Sequence, residues 1–337
     1  MNARVLAVDP RAPDPAVIAE AVAVLRRRGL VAIPTETVYG LAALALDADA
    51  VARIYAAKGR PAHHPLIAHV LHEPQARLLA VSWPERASAL VRAFWPGPLT
   101  LVVDRAPGVP PAVAGGTGSI AVRAPSHPVA RAILAALGEP LAAPSANRYQ
   151  SLSPTNAAHV VRQLGEVVDL VLDAGPCDAG IESTVVDVRD NPPRVLRPGA
   201  LDLGALRRVI PDVVDQVDSV RGAAPRLSPG MEARHYAPRA RLVIADTWLE
   251  AYRVACGLAG GGARVGLVTY EKRTTSVREE RLLVRTLPAE AAQYARALYG
   301  TLHDLDDAGV DAIVVQGVPR DDAWWAVADR LRRGSTE

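Results

Sequence analysis

Two short polar segments near the N-terminus carry side chains that could bind a charged ligand. Residues 34–40 place Thr35, Glu36 and Thr37 directly after an apolar run, with Tyr39 close behind. Hydroxyl, carboxylate and phenol groups crowded together in this way are typical of a binding site. The alternative is a turn at the end of a strand, whose threonine side chains cap the next helix.

The second segment places two cations at the end of a predicted helix. Lys58 and Arg60 flank Gly59, and histidines follow at positions 63, 64 and 69. Favourable interaction with the helix dipole is the alternative interpretation, with Gly59 just beyond the last turn. That interpretation explains one basic residue, but it does not explain Arg60 or the histidines.

Further donors follow predicted strands. The glycine-rich loop 115–119 has backbone amides that could surround an anion, and Arg123 follows it. Small polar side chains and an arginine stand at other predicted strand ends: Ser145, Asn147, Ser153, Ser183 and Arg197. Taken singly, each of these segments is also compatible with ordinary turn chemistry.

Together these residues provide cations and hydroxyl donors, with few acids and no evident nucleophile–base pair. The sequence has no Walker A loop, no H-E-x-x-H motif and no G-x-S-x-G motif. The donor set suits a polyphosphate and a small zwitterion, with the rate arising from positioning and charge neutralisation.

The elements that must position these residues belong to an α/β protein. The first two thirds of the chain alternates strand and helix patterns, with both hairpin-length and crossover-length connections. This indicates a mixed, twisted sheet flanked by helices. Beyond residue 240, apolar runs at 241–245, 264–269 and 311–318 alternate with helical patterns, which predicts a smaller, Rossmann-like three-layer domain.

We therefore predict a catalytic domain at 1–207, a linker or lid at 208–240 and a C-terminal domain at 241–337.

Composition excludes several classes of protein. The 337 residues have a formal net charge of +2, which predicts neither a nucleic-acid nor a membrane partner. Two cysteines cannot form a disulfide scaffold or a four-thiolate zinc site. No signal peptide and no long apolar run is evident, so we expect a soluble, cytoplasmic protein.

The ordered motifs resemble the YrdC-like domain of threonylcarbamoyl-AMP synthases in their two-domain form. The resemblance is strong to about residue 205 and returns in the linker. The segments that carry it are 34–41, 58–61, 65–69, 144–147, 183–187, 197–199, 228–231 and 235–238.

This resemblance implies an enzyme that joins L-threonine, bicarbonate and ATP into L-threonylcarbamoyl-adenylate and releases pyrophosphate. The product serves the N6-threonylcarbamoyl modification of tRNA through a separate transferase. Mg²⁺ is expected to accompany ATP. The sequence makes no prediction on direct tRNA binding.

The resemblance also implies roles for individual residues. The predicted threonine pocket comprises Thr35, Thr37, His69, Arg123, Ala143 (through its backbone) and Ser183. The predicted ATP site comprises Lys58, Arg60, His64, Ser119, Ser145, Asn147, Ser153, Arg197 and Tyr236, with Lys58 and Arg60 as the catalytic pair. His64 departs from the family pattern, which commonly has asparagine there. The pattern assigns no metal ligand: Glu182 either helps to hold the metal or lies in a surface turn.

Two alternatives compete with this interpretation. An RNA-binding module would use the arginine clusters at 26–28 and 330–333, but both lie at the C-termini of predicted helices, where solvated cations are common. A net charge near zero and 4% aromatic residues also argue against it. Another YrdC-like carbamoyl-transfer protein, of the hydrogenase-maturation type, would need a zinc-binding segment, which two cysteines cannot supply.

Overall fold

The structure is a computed structural model that describes residues 3–215, 235–272 and 281–335. The described chain forms two compact units. The first holds residues 3–149, 153–178 and 182–215, and the second holds 150–152, 179–181, 235–272 and 281–335. Most of the predicted lid, including its motif at 228–231, lies outside the described residues.

The first unit contains one mixed sheet, as predicted. Its described strands number eleven, in the spatial order β1-β8-β2-β3-β7-β4-β6-β5-β9-β10-β11. Their bounds are β1 Arg4–Ala7, β2 Val31–Ile33, β3 Gly40–Leu44, β4 Ile67–His69, β5 Leu99–Asp104, β6 Ser119–Arg123, β7 Leu141–Ala142, β8 Leu170–Asp173, β9 Thr184–Asp187, β10 Arg194–Arg197 and β11 Val214–Asp215.

Helices flank this sheet, and their ends follow local sequence signals. Asp14 caps the N-terminus of α1 by accepting a hydrogen bond from the backbone N–H of Ala16. Gly59 ends α2 in the left-handed conformation, with φ of 62°. The helices of this unit are α1 Pro15–Arg26, α2 Ala48–Lys58, α3 Glu73–Arg77, α4 Glu85–Phe94, α5 Pro128–Leu137, α6 Ala157–Leu164 and α7 Leu203–Arg207.

The centre of the sheet brings predicted site residues together. Strands β4 and β6 are parallel, and their register pairs His69 with Arg123. Strand β5 lies between β6 and β9, antiparallel to the former and parallel to the latter. The hydrophobic core beneath these strands includes Ile67, Val102 and Val185. Residues far apart in the sequence therefore share one rigid region.

The second unit contains a parallel sheet, which confirms the predicted Rossmann-like class. The spatial order is β12-β15-β13-β14, and all described pairings are parallel. Its elements are β12 Arg241–Ala245, α8 Trp248–Gly260, β13 Val265–Thr269, β14 Leu282–Thr286, α9 Ala291–Asp307, β15 Ala312–Gln316 and α10 Trp325–Gly334. None of the helices described in either unit has the length and apolar character needed to cross a membrane.

Candidate active site

The segment after β2 is a tight turn organised by one hydroxyl group. Thr35 Oγ1 accepts hydrogen bonds from the backbone N–H groups of Thr37 and Val38, both at 3.2 Å, and donates to the carbonyl of Val38 at 2.6 Å. The turn leads into β3, which pairs antiparallel with β2, so the alternative in which these threonines cap a helix is wrong. Because the hydroxyl of Thr35 is saturated within the turn, we expect it to orient Thr37.

Arg123 is buried and held by three groups of the protein. Its Nη1 donates to Thr37 Oγ1 at 2.9 Å, its Nη2 lies 2.7 Å from Glu36 Oε1, and its Nε donates to the carbonyl of Gly97 at 3.3 Å. Burial alone would raise the pKa of Glu36, but the charge of Arg123 and its hydrogen bond lower that pKa below its usual value. A guanidinium has five N–H donors, so one remains on each terminal nitrogen of Arg123.

His69 lies beside Arg123 on the neighbouring strand and is uncharged at neutral pH. Burial first, and then the charge of Arg123, lower the pKa of His69 to about 3. Its Nδ1 lies 3.3 Å from the carbonyl of Ile67, an acceptor that fixes the proton on Nδ1. Nε2 is therefore a hydrogen-bond acceptor.

Lys58 is buried and ties together the predicted nucleotide residues of the segment 144–147. Its Nζ donates to the carbonyls of Ser145 and Asn147, both at 2.6 Å, and lies 3.4 Å from Asn147 Oδ1. Burial, followed by the nearby Arg60, lowers the pKa of Lys58 well below its usual value. The three protons of the ammonium group match these three acceptors, which favours a role in shaping the loop.

Arg60 and His64 lie against the aromatic ring of Tyr149, which none of the sequence motifs includes. The guanidinium carbon of Arg60 is 5.9 Å from the ring centre of Tyr149, and the ring of His64 is 5.5 Å from the same ring. The backbone N–H of Tyr149 donates to the carbonyl of Lys58. Tyr149 thus connects the predicted catalytic pair with His64. Sequence spacing does not reveal this role, because a tyrosine after a polar turn has no distinctive signal.

Ser183 and Arg197 form a second buried cluster at the ends of β9 and β10. Arg197 Nη2 donates to the carbonyl and to Oγ of Ser183, at 2.9 and 3.0 Å. The neighbouring Glu182 is 5% exposed, and its Oε1 accepts a hydrogen bond from Ser153 Oγ at 2.5 Å. Glu182 is therefore not in an exposed surface turn, which removes one of the two roles considered for it.

The glycine-rich loop does not present its amides as predicted. The backbone N–H groups of Gly115, Gly116 and Thr117 donate to carbonyls of residues 112, 111 and 114, within the loop's own turns. For the amides of residues 115–117, the prediction that they surround an anion is therefore wrong. Ser119 follows at the start of β6 and is buried, with its Oγ 3.3 Å from Thr117 Oγ1.

Contacts link the predicted site residues of the first unit, apart from Ser119, into one network. Gly40 packs against Ala143 and forms an isolated bridge with Ser145, which connects the turn 34–40 with the Lys58 cluster. The backbone N–H of Tyr39 donates to the carbonyl of Pro154, next to Ser153. Gly97 contacts Arg123, and Pro98 accepts from the backbone N–H of Thr184, next to Ser183. Segments from across the first unit therefore converge on one region.

This region contains more buried positive than negative charge. The guanidinium groups of Arg60, Arg123 and Arg197 are buried cations, and the amine of Lys58, whose pKa is lowered, is buried as well. Among the described residues, the buried carboxylates in contact with the network are Glu36 and Glu182. A buried cation is costly unless an anion or good acceptors compensate it. The arrangement therefore favours binding of an anionic ligand.

Gly199 allows the strand ends of this region to approach each other. A Cβ atom at this position would lie 2.3 Å from the Ser183 carbonyl carbon and the Thr184 nitrogen, and 2.4 Å from the Glu182 oxygen. All three are backbone atoms that cannot yield cheaply. Gly199→Ala is expected to lower the free energy of unfolding by about 2–3 kcal/mol, as overpacking does.

Urea denaturation of the two variants measures this effect. Gly108→Ala is the matched control, because a Cβ there meets no atom within 4 Å. Equal stability of the two variants would contradict the close approach.

Tyr236, the remaining predicted ATP residue, belongs to the second unit and is buried there. Its backbone φ is 61°, a left-handed conformation that is uncommon for a residue with a side chain. Its ring lies 4.6 Å from the guanidinium carbon of Arg330 and 4.0 Å from the ring of His235. The backbone N–H of His235 donates to the carbonyl of Arg333 in α10. The last helix therefore holds this segment in place.

Comparisons with known proteins agree with the resemblance seen in the motifs. Residues 23–199 match the Sua5/YciO/YrdC family model, described as Telomere recombination, and residues 202–336 match the threonylcarbamoyl-AMP synthase C-terminal domain. The chain is 38% identical to the threonylcarbamoyl-AMP synthase of Pyrococcus abyssi over 92% of both chains. It is 39% identical to that of Bacillus subtilis, over 94% of this chain and 92% of the relative.

A solved structure gives the same result. The crystal structure of P. abyssi Sua5 complexed with L-threonine is similar with a TM-score of 0.91 and 37% identity, over 98% of this chain and 97% of that one. The predicted resemblance and fold class are confirmed.

Proposed function

The chain belongs to the threonylcarbamoyl-AMP synthase family, and from this membership we propose how its own residues carry out the reaction. It is an enzyme, a transferase that forms threonylcarbamoyl-AMP for tRNA modification. The RNA-binding alternative is not favoured. The observation that carries the proposal is that buried cations outnumber buried carboxylates in the network of predicted site residues, where Arg123 and Arg197 donate to hydroxyl groups.

The substrates supply both the nucleophile and the leaving group. The uncharged amine of L-threonine combines with bicarbonate to give a carbamate and water. A carbamate oxygen then forms a bond to the α-phosphorus of ATP while the bond from that phosphorus to the bridging oxygen breaks, releasing pyrophosphate. In such a displacement the protein mainly positions the reactants and offsets their charge, so no catalytic triad is needed.

The threonine side of the site would use the polar groups around Arg123. Its two remaining N–H groups suit the substrate carboxylate, with Thr37 and Ser183 as neighbouring hydroxyls. The imidazole of His69 is uncharged and its Nε2 accepts hydrogen bonds, so it suits an N–H or O–H donor of threonine. Thr35 would act by orienting Thr37, and Ala143 would contact the bound threonine through its backbone.

The ATP side would use the remaining predicted residues. Arg60 and Arg197 would offset phosphate charge, with Ser119, Ser145, Asn147, Ser153 and His64 as hydrogen-bonding groups. Lys58 would hold the segment 144–147, and Tyr236 stays a predicted nucleotide residue. This assignment of residues to the two substrates is supported by their burial: each named side chain of the first unit except that of Ser145 is buried.

Mg²⁺ would arrive with ATP. Mg²⁺ bound to a nucleotide commonly needs only one or two protein carboxylates, the rest being phosphate oxygens and water. The described residues contain no group of three or more histidine, cysteine or acidic side chains close enough to hold a metal ion by themselves. Glu182, buried beside Ser153, fits the role of the single carboxylate. The ion would neutralise phosphate charge.

The product is a reactive mixed anhydride, so a second enzyme must accept it. We propose a transferase that moves the threonylcarbamoyl group to tRNA. A reaction that consumes ATP and serves tRNA modification is expected in the cytoplasm.

A pyrophosphate-release assay tests the proposed function. The purified full chain is expected to release pyrophosphate from ATP only when L-threonine and bicarbonate are both present with Mg²⁺. Omission of any one of these components is the control. Release that is independent of threonine, or salt-sensitive RNA binding with no release, would contradict the proposal.

A further inference from the structure

The side chain of Thr100 is fully buried and has one hydrogen-bonding partner in the described structure. It lies on β5 with 0% of its surface exposed. Its Oγ1 is 2.8 Å from Ser183 Oγ, and either oxygen could be the donor. Thr100 is absent from the predicted site, because a threonine in an apolar strand is typical of ordinary strand sequence.

Ser183 receives a second hydrogen bond, from a cation. Arg197 Nη2 donates to Ser183 Oγ at 3.0 Å, and Nε and Nη2 both donate to the carbonyl of Ser183, at 3.1 and 2.9 Å. These contacts fix the arginine against the serine. A hydroxyl oxygen can accept two hydrogen bonds and donate one, so Arg197 occupies one of its acceptor positions.

The direction of the Thr100–Ser183 bond in the substrate complex follows from counting protons. If Ser183 donated, the proton of Thr100 would be buried without an acceptor, at a cost of about 1–3 kcal/mol. If Thr100 donates, its only proton is satisfied. Ser183 then accepts from both Thr100 and Arg197, and its own proton remains available. In the free protein each arrangement leaves one buried hydroxyl proton without an acceptor among the described residues, since Ser183 is 1% exposed. The proposed function places Ser183, and not Thr100, in the threonine pocket, so only the second arrangement lets a substrate oxygen accept that proton.

We infer that Thr100 is a positioning residue that makes Ser183 a hydrogen-bond donor to an anionic oxygen of the amino-acid substrate. Two incoming hydrogen bonds, one from a guanidinium, polarise the Ser183 hydroxyl and strengthen it as a donor. A donor of this kind suits the carboxylate of threonine or the carbamate formed from it. The inference rests on the proposed function, which places Ser183 in the threonine pocket.

Removal of the Thr100 hydroxyl without loss of volume is the direct test. Thr100→Val is expected to lower kcat/KM for L-threonine by about ten-fold, the usual effect of weakening a hydrogen bond to a charged group. The KM for ATP and the unfolding midpoint in urea should stay close to those of the unmodified chain. Thr100→Ser, which restores a hydroxyl, should recover most of the loss. Thr100→Ala removes the same hydroxyl if valine disturbs the packing.

A double-variant cycle separates this role from a general structural one. If Thr100 acts through Ser183, then Thr100→Val should have little further effect in a Ser183→Ala background. Two outcomes would overturn this inference while leaving the proposed function standing. Either the effects of the two substitutions multiply in the double variant, or kcat/KM is unchanged in Thr100→Val. If the unmodified chain released no threonine-dependent pyrophosphate, the proposed function would fall and this inference with it.

Discussion

Arg60→Ala is expected to lower kcat for threonylcarbamoyl-AMP synthesis by about 10²–10³-fold, or about 3–4 kcal/mol of transition-state stabilisation. The side chain is 6% exposed, and Nη2 donates to the carbonyl of Pro65 at 3.1 Å, so the cation is fixed before substrate binds. Such a group stabilises charge that develops on the phosphates without reorganising at the moment of reaction. The loss should therefore appear mainly in turnover.

Pyrophosphate release at saturating ATP and threonine measures this effect. Arg53→Ala is the matched control, because Arg53 lies on α2 just before Arg60 but is about half-exposed and pairs with Asp169. Arg60→Lys should retain part of the activity, since it keeps the charge but not the planar fork. Near-normal turnover in Arg60→Ala would show that the phosphate site lies elsewhere.

Asp329→Ala is expected to destabilise the second unit by about 3–5 kcal/mol, the cost of breaking a buried ion pair. The side chain of Asp329 is 2% exposed and accepts from Arg330 Nη1 at 2.6 Å and from Arg333 Nε at 2.9 and 3.0 Å. Its removal takes one carboxylate from two buried guanidinium groups at once. Arg330 also packs on Tyr236, so the segment that carries this tyrosine should loosen as well.

Chemical denaturation of the full chain, followed by circular dichroism, measures the change. Asp329→Asn keeps the shape and an acceptor oxygen, and should cost less than alanine. Arg332→Ala is the control, because that side chain contacts the same carboxylate while remaining 44% exposed. If Asp329→Ala changed the free energy of unfolding by no more than Arg332→Ala, the buried pair would contribute little.

Local signals predicted most of the elements that carry the site. Asp14 with Pro15, and Gly59, mark the start of α1 and the end of α2, and the structure confirms both. Such signals are readable because they depend on a few neighbouring residues. The sequence pattern predicts a helix over residues 154–164, whereas α6 begins at Ala157, because Asn156 supplies the cap. The predicted helices are therefore present in the structure, although the first residue of one of them differs from the prediction.

Elements that lack local signals were missed. Helix α4 begins after Pro84, which provides no side-chain cap, and strand β3 is rich in alanine. β3 forms because it pairs with β2 on one side and β7 on the other. Strand β14 is partly exposed and carries Arg285. In each case contacts with distant residues decide the structure, and one sequence does not display them.

In the candidate site, too, local motifs were readable from the sequence and contacts between distant residues were not. Motifs identified Arg123, Ser183 and Arg197 individually, but not the contacts that hold them. Thr100 and Tyr149 became visible only once strands and loops were placed beside each other. In the loop 115–119 the sequence indicates the glycine content, but it does not indicate that the amides of residues 115–117 are already bonded within the loop.

Strand β6 carries a predicted nucleotide residue at one end, Ser119, and a predicted amino-acid residue at the other, Arg123. Four residues of extended chain span about 13 Å, and an even spacing points both side chains to the same face of the sheet. Neighbouring strands β4 and β5 fix this length on both sides. Under the proposed function, backbone geometry therefore sets the distance between one contact to the nucleotide and one contact to the amino acid. Inserting one residue into β6 would both lengthen this distance and turn one of the two groups away.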